Sequence, residues 1–388
     1  AGIERADLLL AVTNFDEVNL IACLIAAQFE VDLKVARVSS PDYYERRGIL
    51  QGRKFGADLL INPERECARE ILKLFHRPRA SDVAEFADGR VILLALPVGE
   101  RAPVAGRTLA QIGKDLGEAH FLTVAVERDG GTIIPDGGTE LKAGDEIYLV
   151  SEARHLDDAY RLLGLEHDRI RRVMLLGGGR VGLHLARMLE REGIQPTIIE
   201  QSRARCVELA ETLETALVLN GDATDLELLK QEGISETDGL AAVTSEDETN
   251  LLASLLSKHL GAKKVIALLK RSEYIPLVSR VGIDAAVSPR LSTANRILQH
   301  IRGGHVVSMA VMERNQAEAM EVEVVEGTRS AGRTVADLDL PAGAILGSIL
   351  RNERVLIPRG DTRIEAGDRI VVFALPEATE ATAAFFAK

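Results

Sequence analysis

The residues best equipped for chemistry stand together in Gly177-Gly178-Gly179-Arg180-Val181-Gly182, a G-x-G-x-x-G run. Four apolar residues, Val173-Met174-Leu175-Leu176, lead into it. A segment with Leu185, Met188 and Leu189 at helical spacing follows and stops at Gly193. Strand, tight turn and helix are expected in that order. Gly177 permits the turn, Gly179 lets a pyrophosphate approach the backbone, and Gly182 lets the helix pack close to the strand. The helix N-terminus, opened by Arg180 and Val181, offers unpaired N–H groups and a partial positive charge to phosphates. A second strand, Thr197-Ile198-Ile199, ends at Glu200, 18 residues past Gly182. A carboxylate there accepts both hydroxyls of an adenosine ribose and repels a 2′-phosphate. Glycine-rich turns also serve packing alone. Strand, helix and acid in register point instead to NAD(H) or an adenine nucleotide, ATP or ADP.

Further candidates follow along the chain. Ala216-Leu217-Val218-Leu219 reads as a third strand ending at Asn220-Gly221-Asp222-Ala223-Thr224. Asp222 or Thr224 caps the next helix, or Asp222 and the Ala223 backbone meet adenine at the carboxyl end of the sheet; both readings stay open. Thr244 lies in the loop closing the fourth strand, Leu240-Ala241-Ala242-Val243. Glu246, Asp247 and Glu248 then load a helix N-terminus with acid, as the helix dipole favours. Arg180 is either a solvated side chain or a contact for a terminal phosphate. Arg203 either touches the diphosphate or sits on a helix surface. No H-E-x-x-H, G-x-S-x-G or metal-spaced cluster occurs, and no Cys–His spacing suggests a pair. A non-enzymatic binding protein is expected. The alternative is an NAD-dependent oxidoreductase whose substrate site lies in a β-rich part.

Composition narrows the classes further. A chain of 388 residues suggests two to four domains. The formal charge is −12 without a Lys/Arg block, Trp is absent, and aromatics are 4%, so nucleic acid is not an expected partner. Cys23, Cys67 and Cys206 are far apart and odd in number, which reads as reduced thiols of a cytosolic protein. No apolar run approaches the ~18 residues that cross a bilayer, and no signal-peptide pattern opens the chain. Any membrane role is expected to come through a partner.

The elements that must position these residues occur twice. Gly2, Ile3, Asp7, Ala11, Val12, Thr13, Asn19, Leu20 and Ala22 recur 231 positions later, from Gly233 to Ala253. Phe55-Gly56-Ala57-Asp58 with Pro63 answers Val281-Gly282-Ile283-Asp284 with Pro289, and Ala105-Gly106-Arg107-Thr108 answers Ala331-Gly332-Arg333-Thr334. So many matches in one order indicate an internal duplication. Each copy pairs an α/β part with a smaller β-rich part, roughly 90–160 and 305–380, whose short alternating runs are broken by Gly-Gly and Pro-Asp-Gly turns. A counterpart of Arg171–Gln231, 61 residues with the glycine turn and acid, does not precede Ala1. A parallel sheet lacking its central strands would expose apolar faces and edges. The sequence is therefore expected to be truncated, with Thr13 and Asn14 on the far wall of the first copy's own site.

The order of the glycine turn, Glu200, Asn220-Gly221-Asp222-Ala223-Thr224 and Ala242-Val243-Thr244, then Ala331-Gly332-Arg333-Thr334 and Ile364-Glu365-Ala366-Gly367-Asp368, is similar to the RCK (KTN) family with its C-terminal lobe. The doubled arrangement resembles the peripheral regulatory subunits of bacterial Trk potassium uptake. The resemblance implies tandem Rossmann-like α/β domains with parallel sheets, each followed by a small β-rich α+β lobe. Residues 1–80 would complete the first Rossmann part, 81–165 the first lobe, 170–302 the second Rossmann part and 303–388 the second lobe. It further implies a homotetrameric ring, cytoplasmic and peripheral on the inner face of the cell membrane. The ring would regulate an integral membrane potassium-translocating subunit of the TrkH kind through NAD(H) or adenine nucleotides. Carried over by residue, Gly177, Gly179 and Gly182 match the diphosphate turn, Arg180 a phosphate contact, Glu200 the ribose carboxylate, and Asp222 with Ala223 the adenine loop.

Overall fold

The computed structural model describes residues 2–44, 55–116, 120–165, 170–278, 280–298, 300, 306–312 and 316–386. The expected boundary at 302/303 lies outside the described residues. The apolar run before the glycine turn forms the strand Val173–Leu176, with all four side chains buried, as a strand covered on both faces requires. It sits centrally in a six-stranded parallel sheet. The order is Leu217–Asn220, Pro196–Glu200, Val173–Leu176, Gly239–Ala242, Lys264–Leu268, Ala285–Val287. The strand order reverses beside Val173–Leu176, which opens a crevice at the carboxyl ends of the strands.

A second parallel sheet holds Leu8–Ala11, Leu33–Arg37 and Leu59–Ile61. These three strands repeat the last three of the larger sheet down to individual hydrogen bonds. Buried Asn19 accepts from the Thr13 amide (2.9 Å) and hydroxyl (2.7 Å) and donates to the Arg37 carbonyl (2.9 Å). Asn250 makes the same bonds to Thr244 (2.8 and 2.7 Å) and Leu268 (2.8 Å). Asp16 accepts from the amides of Ser39 and Ser40, as Asp247 does from Lys270 and Arg271. Asp247 is thus more than a complement to a helix dipole, because it pins the loop after the next strand. Around this three-stranded sheet, Leu10 of its first strand, Val12 and Phe15 of the loop that follows, and Val18, Ile21 and Ile25 of the helix Asp16–Ala27 are exposed.

The β-rich parts are also copies. Each is a five-stranded antiparallel sheet: Asp82–Phe86, Val91–Pro97, Glu146–Glu152, Phe121–Arg128, Gly131–Ile133 in one, and Val306–Val311, Glu318–Glu323, Arg369–Ala374, Ala344–Arg351, Arg354–Leu356 in the other. A bidentate Arg128–Asp145 pair (both 2.7 Å) recurs as Arg351–Asp368 (both 2.8 Å). Burial alone would raise the Asp145 carboxyl, but Arg128 and the Lys142 amide hold it below its ordinary range. Apolar residues of the two lobes, including Val124, Tyr148, Ala319 and Phe373, share one buried cluster. The tandem fold is therefore closed by lobe-on-lobe packing.

The helix Pro63–His76 ties the first copy to the second. Asn62 caps it by accepting from the Arg65 amide (2.7 Å), and Pro63 presets its first turn. Its buried stripe, Cys67, Ala68, Ile71, Leu74 and Phe75, joins one core with Leu185, Ala186 and Leu189 of the helix Arg180–Arg191. Phe75 lies so close to Gly239 that a methyl there would come within 2.9 Å of its ring. Phe75→Ala should remove about 3–5 kcal/mol, read as a lower urea midpoint with unchanged slope. Wild-type stability in that variant would show that the halves do not rest on this contact.

Candidate nucleotide site

Two of the four glycines at the turn, Gly177 and Gly182, are required by the protein itself. Gly177 has φ +111°, and a methyl there would lie 2.9 Å from the Thr244 amide nitrogen. A methyl at Gly182 would run into the Gly177 carbonyl oxygen, and one at Gly178 into Leu209. Helix, turn and the loop that follows the strand Gly239–Ala242 thus meet backbone to backbone. Gly179 differs, since a methyl there would meet no protein atom within 4 Å. Its open side is where a ligand can reach the backbone. Gly179 is the N-cap of Arg180–Arg191, so the first amides of that helix have no intrahelical acceptor. Val181 is buried and joins the core shared by the helices Pro63–His76 and Arg180–Arg191.

Glu200 closes the turn from the neighbouring strand. Its carboxylate accepts from the Gly178 amide (2.8 Å) and the Ser202 amide (2.8 Å), which fixes it at the crevice edge. Arg203 opens the helix Arg203–Thr212 and is exposed. The arginine that touches the turn is Arg205, whose Nε donates to the Gly178 carbonyl (2.8 Å). Two residues along a helix turn the side chain by ~200°, so only one of the pair faces the loop. Sequence spacing did not distinguish them. Neither Asp222 nor Thr224 caps the following helix. That role falls to Asp225, which accepts from the amides of Glu227 (3.0 Å) and Leu228 (3.2 Å). Asp222 instead accepts from the Thr224 hydroxyl (2.6 Å) and amide (2.7 Å), which hold its carboxyl below the ordinary range. That bond pins the loop carrying half-buried-to-buried Ala223 at the sheet's carboxyl edge.

These residues are brought together unevenly. Gly179, Arg180, Val181 and Thr244 line one cavity of about 730 Å³, within the range of small-molecule sites. Glu200, Asp222 and Ala223 lie along the crevice beyond it, and Arg203 contributes no contact to the turn. The cavity's opposite wall comes from the first copy: Val12, Asn14, Arg37, Pro63 and Glu64. Asn14 was expected to line a separate first site, yet it faces the second copy's glycine turn. Four cations, Arg37, Arg180, Lys270 and Arg290, surround the space against one carboxylate, Glu64. Arg180 Nη1 is 3.8 Å from Glu64 Oε1 and exposed. The Ser39 hydroxyl steadies Glu64 (3.1 Å), and Arg37 donates to Asn14 (2.8 Å). Arg37, Lys270 and Arg290 were missed in the sequence. Their only signal was position at or just after the ends of strands of the repeat. Two larger hollows are lined by charges of both signs already facing one another, and neither includes the glycine turn.

Comparison with known proteins decides the family. The TrkA-N domain matches residues 1–63 and 173–289, and the TrkA-C domain 93–164 and 319–387. A Trk system potassium uptake protein TrkA homolog of Methanosarcina mazei is 38% identical over 393 residues, covering 99% of this chain and 87% of its own. The TrkA of Halomonas elongata is 37% identical, covering 97% and 83%. The chain belongs to the TrkA family.

Its fold is shared with the RCK domain of GsuK (TM-score 0.54, 23% identity, 96% of this chain and 79% of that one). The GsuK channel bound to NAD gives TM-score 0.56 at 22% identity over 99% and 68%. The tandem α/β architecture with β-rich lobes is thus that of TrkA and RCK proteins. Among the described residues of this TrkA-family chain, no helix is long and apolar enough to cross a membrane. Gly182→Ala should abolish adenine-nucleotide binding and cost about 1–3 kcal/mol of stability through overpacking. Calorimetry with NADH and urea unfolding check both, and wild-type affinity in that variant would remove the turn from the site.

Proposed function

We propose that this chain is a nucleotide-binding regulatory subunit that gates potassium uptake and is not an enzyme. One observation carries the reading: the glycine turn of the second copy opens onto a cavity whose other wall is the first copy. A ligand held there touches both halves, so its binding energy depends on how they are arranged. Supporting it are the names of the relatives, Trk system potassium uptake proteins, and the RCK fold neighbour seen with NAD. The residues fit such a ligand. The turn is open at Gly179, helix amides face the cavity mouth, and cations outnumber acids around it. Gly177, Gly179, Val181 and Gly182 would take the diphosphate, Glu200 the ribose, Asp222 with Ala223 the adenine, and Thr244 the far edge. Arg203 would act only as distant positive charge. The bound group supplies charge and binding energy. The units 1–80, 81–165, 170–302 and 303–388 would move as lobes of a tetrameric ring, cytoplasmic and peripheral, on a TrkH-like membrane subunit.

A ligand shifts a two-state ring only by its differential affinity for the states. A tenfold preference per site is about 1.4 kcal/mol, and several coupled sites move the balance decisively. The Arg180–Glu64 pair spans the two copies. A phosphate that claims Arg180 releases that pair, which links occupancy to the arrangement of the halves. Glu200→Ala should weaken NADH and ATP binding by about 1.5–3 kcal/mol, as for charge-assisted hydrogen bonds. Unchanged calorimetric affinity for both would exclude Glu200. Arg180→Ala should lower ATP affinity at least about tenfold more than NADH affinity, because a triphosphate extends past the backbone grip. An equal loss would reduce Arg180 to general electrostatics. Bound NADH should remain chemically unchanged over hours; steady consumption would overturn the non-enzymatic reading.

A further inference from the structure

The two β-rich lobes share one backbone frame, and one point where they differ in side chains places two imidazoles face to face. His120 precedes the strand Phe121–Arg128, and His155 is the N-cap of the helix Leu156–Leu162. Their rings stack with centroids 3.8 Å apart and planes at 12°. In the second lobe the equivalent positions, read from the matching strand register, are Gly343 and Ala378. A methyl on Gly343 would lie 3.2 Å from the Ala378 side chain. The frame therefore brings these positions together in both lobes. The second lobe fills them with almost nothing and the first with two imidazoles. Packing alone explains neither choice, since the same frame closes without them.

A carboxylate completes the group. Asp158 stands one helical turn after His155, and its Oδ2 is 3.4 Å from His155 Nδ1. One donor atom from each of His120, His155 and Asp158 can be chosen so that all lie within 4.8 Å of one another. Around a tetrahedral ion with bonds of about 2.0–2.2 Å, donors sit roughly 3.3–3.6 Å apart. The His155–Asp158 edge has that length already. The other nitrogen of His155, Nε2, faces the Glu152 carboxylate at 3.8 Å, the side from which a carboxylate commonly orients a metal-bound histidine. The Ser151 hydroxyl donates to the His120 carbonyl (3.1 Å) and steadies that backbone. His155 and Asp158 are partly exposed, so water can supply a fourth ligand.

We infer that His120, His155 and Asp158 bind a borderline divalent transition ion of the Zn²⁺ class. Two imidazoles and one carboxylate suit such an ion better than Ca²⁺ or Mg²⁺, which take oxygen donors. Coordination must open the stack, because lone pairs of parallel rings do not converge. The rotation is about χ2, which is soft for histidine. The ion would clamp the start of a strand in the first lobe to the helix that leads toward the second Rossmann unit.

The test is titration of the full chain, stripped with a chelator, with Co²⁺ and then Zn²⁺. One Co²⁺ per chain with the strong visible absorption of a low-coordinate site is expected, displaced by Zn²⁺. His155→Asn and Asp158→Asn should each raise the dissociation constant at least about tenfold, a loss of 1.4 kcal/mol or more, while His259→Asn leaves it unchanged. Zn²⁺ should raise the melting temperature of the wild type and not that of His120→Asn/His155→Asn. The proposal is overturned if the wild type binds no Co²⁺ stoichiometrically. It is equally overturned if the double variant, folded by circular dichroism, binds as the wild type does.

Discussion

The structure depends on the contact of two helices from different copies, Pro63–His76 against Arg180–Arg191. The second of these is the nucleotide-turn helix, and Gly182 locks its start to Gly177 without room for a methyl. The first carries Glu64 at its own start. When the buried stripes of the two helices pack, the two N-termini are brought to one cavity. Tertiary burial thus sets the site, and the hydrogen bonds of the turn refine it. Displacing either helix would move a cavity wall against the other, which is the physical sense in which the proposed binding would be coupled to arrangement.

Much of this was legible in the sequence because backbone constraints leave strong marks. Gly177 and Gly182 are forced by a positive φ and a close approach, and the run Val173–Leu176 by burial on both faces. The repeat carried the rest of the frame, with Thr13/Asn19 and Thr244/Asn250 forming the same buried bonds. What could not be read were outcomes of side-chain direction and of packing between distant segments. Arg203 and Arg205 differ only in helical phase. Asp222 and Thr224 stand at cap-like positions, yet backbone geometry gives the role to Asp225. The shared cavity needs Asn14 and Arg180, 166 positions apart, to meet, and no local pattern records that.

Duplication gives two equal frames, and function resides where their side chains part. Pro63 and Pro289 start matching helices, yet Glu64 follows one and Arg290 the other, both facing the same cavity. Ser39 and Lys270 occupy matching amide positions on Asp16 and Asp247, again neutral against charged. The second copy thereby brings three cations, Arg180, Lys270 and Arg290, while the first brings Arg37 offset by the carboxylate of Glu64. The cavity is asymmetric although the elements around Pro63 and Pro289 repeat one another. A ligand with a phosphate end and a less charged end is oriented by that asymmetry.

The asymmetry also bears on how a small ligand could govern a large assembly. The Arg180–Glu64 pair is exposed on its arginine side, and exposed pairs contribute little stability and are screened by salt. Breaking it therefore opposes binding only weakly. A phosphate at the helix N-terminus gains both the amides and the dipole, so the exchange favours the ligand. The energy that resists rearrangement resides elsewhere, in the apolar helix contact and the lobe-on-lobe core. Burial of that kind holds discrete packed arrangements and not a continuum. Under the proposed function, a weak polar latch over a stiff apolar joint would suit switching, because a ligand would change which packed arrangement is favoured without having to supply the energy that holds it.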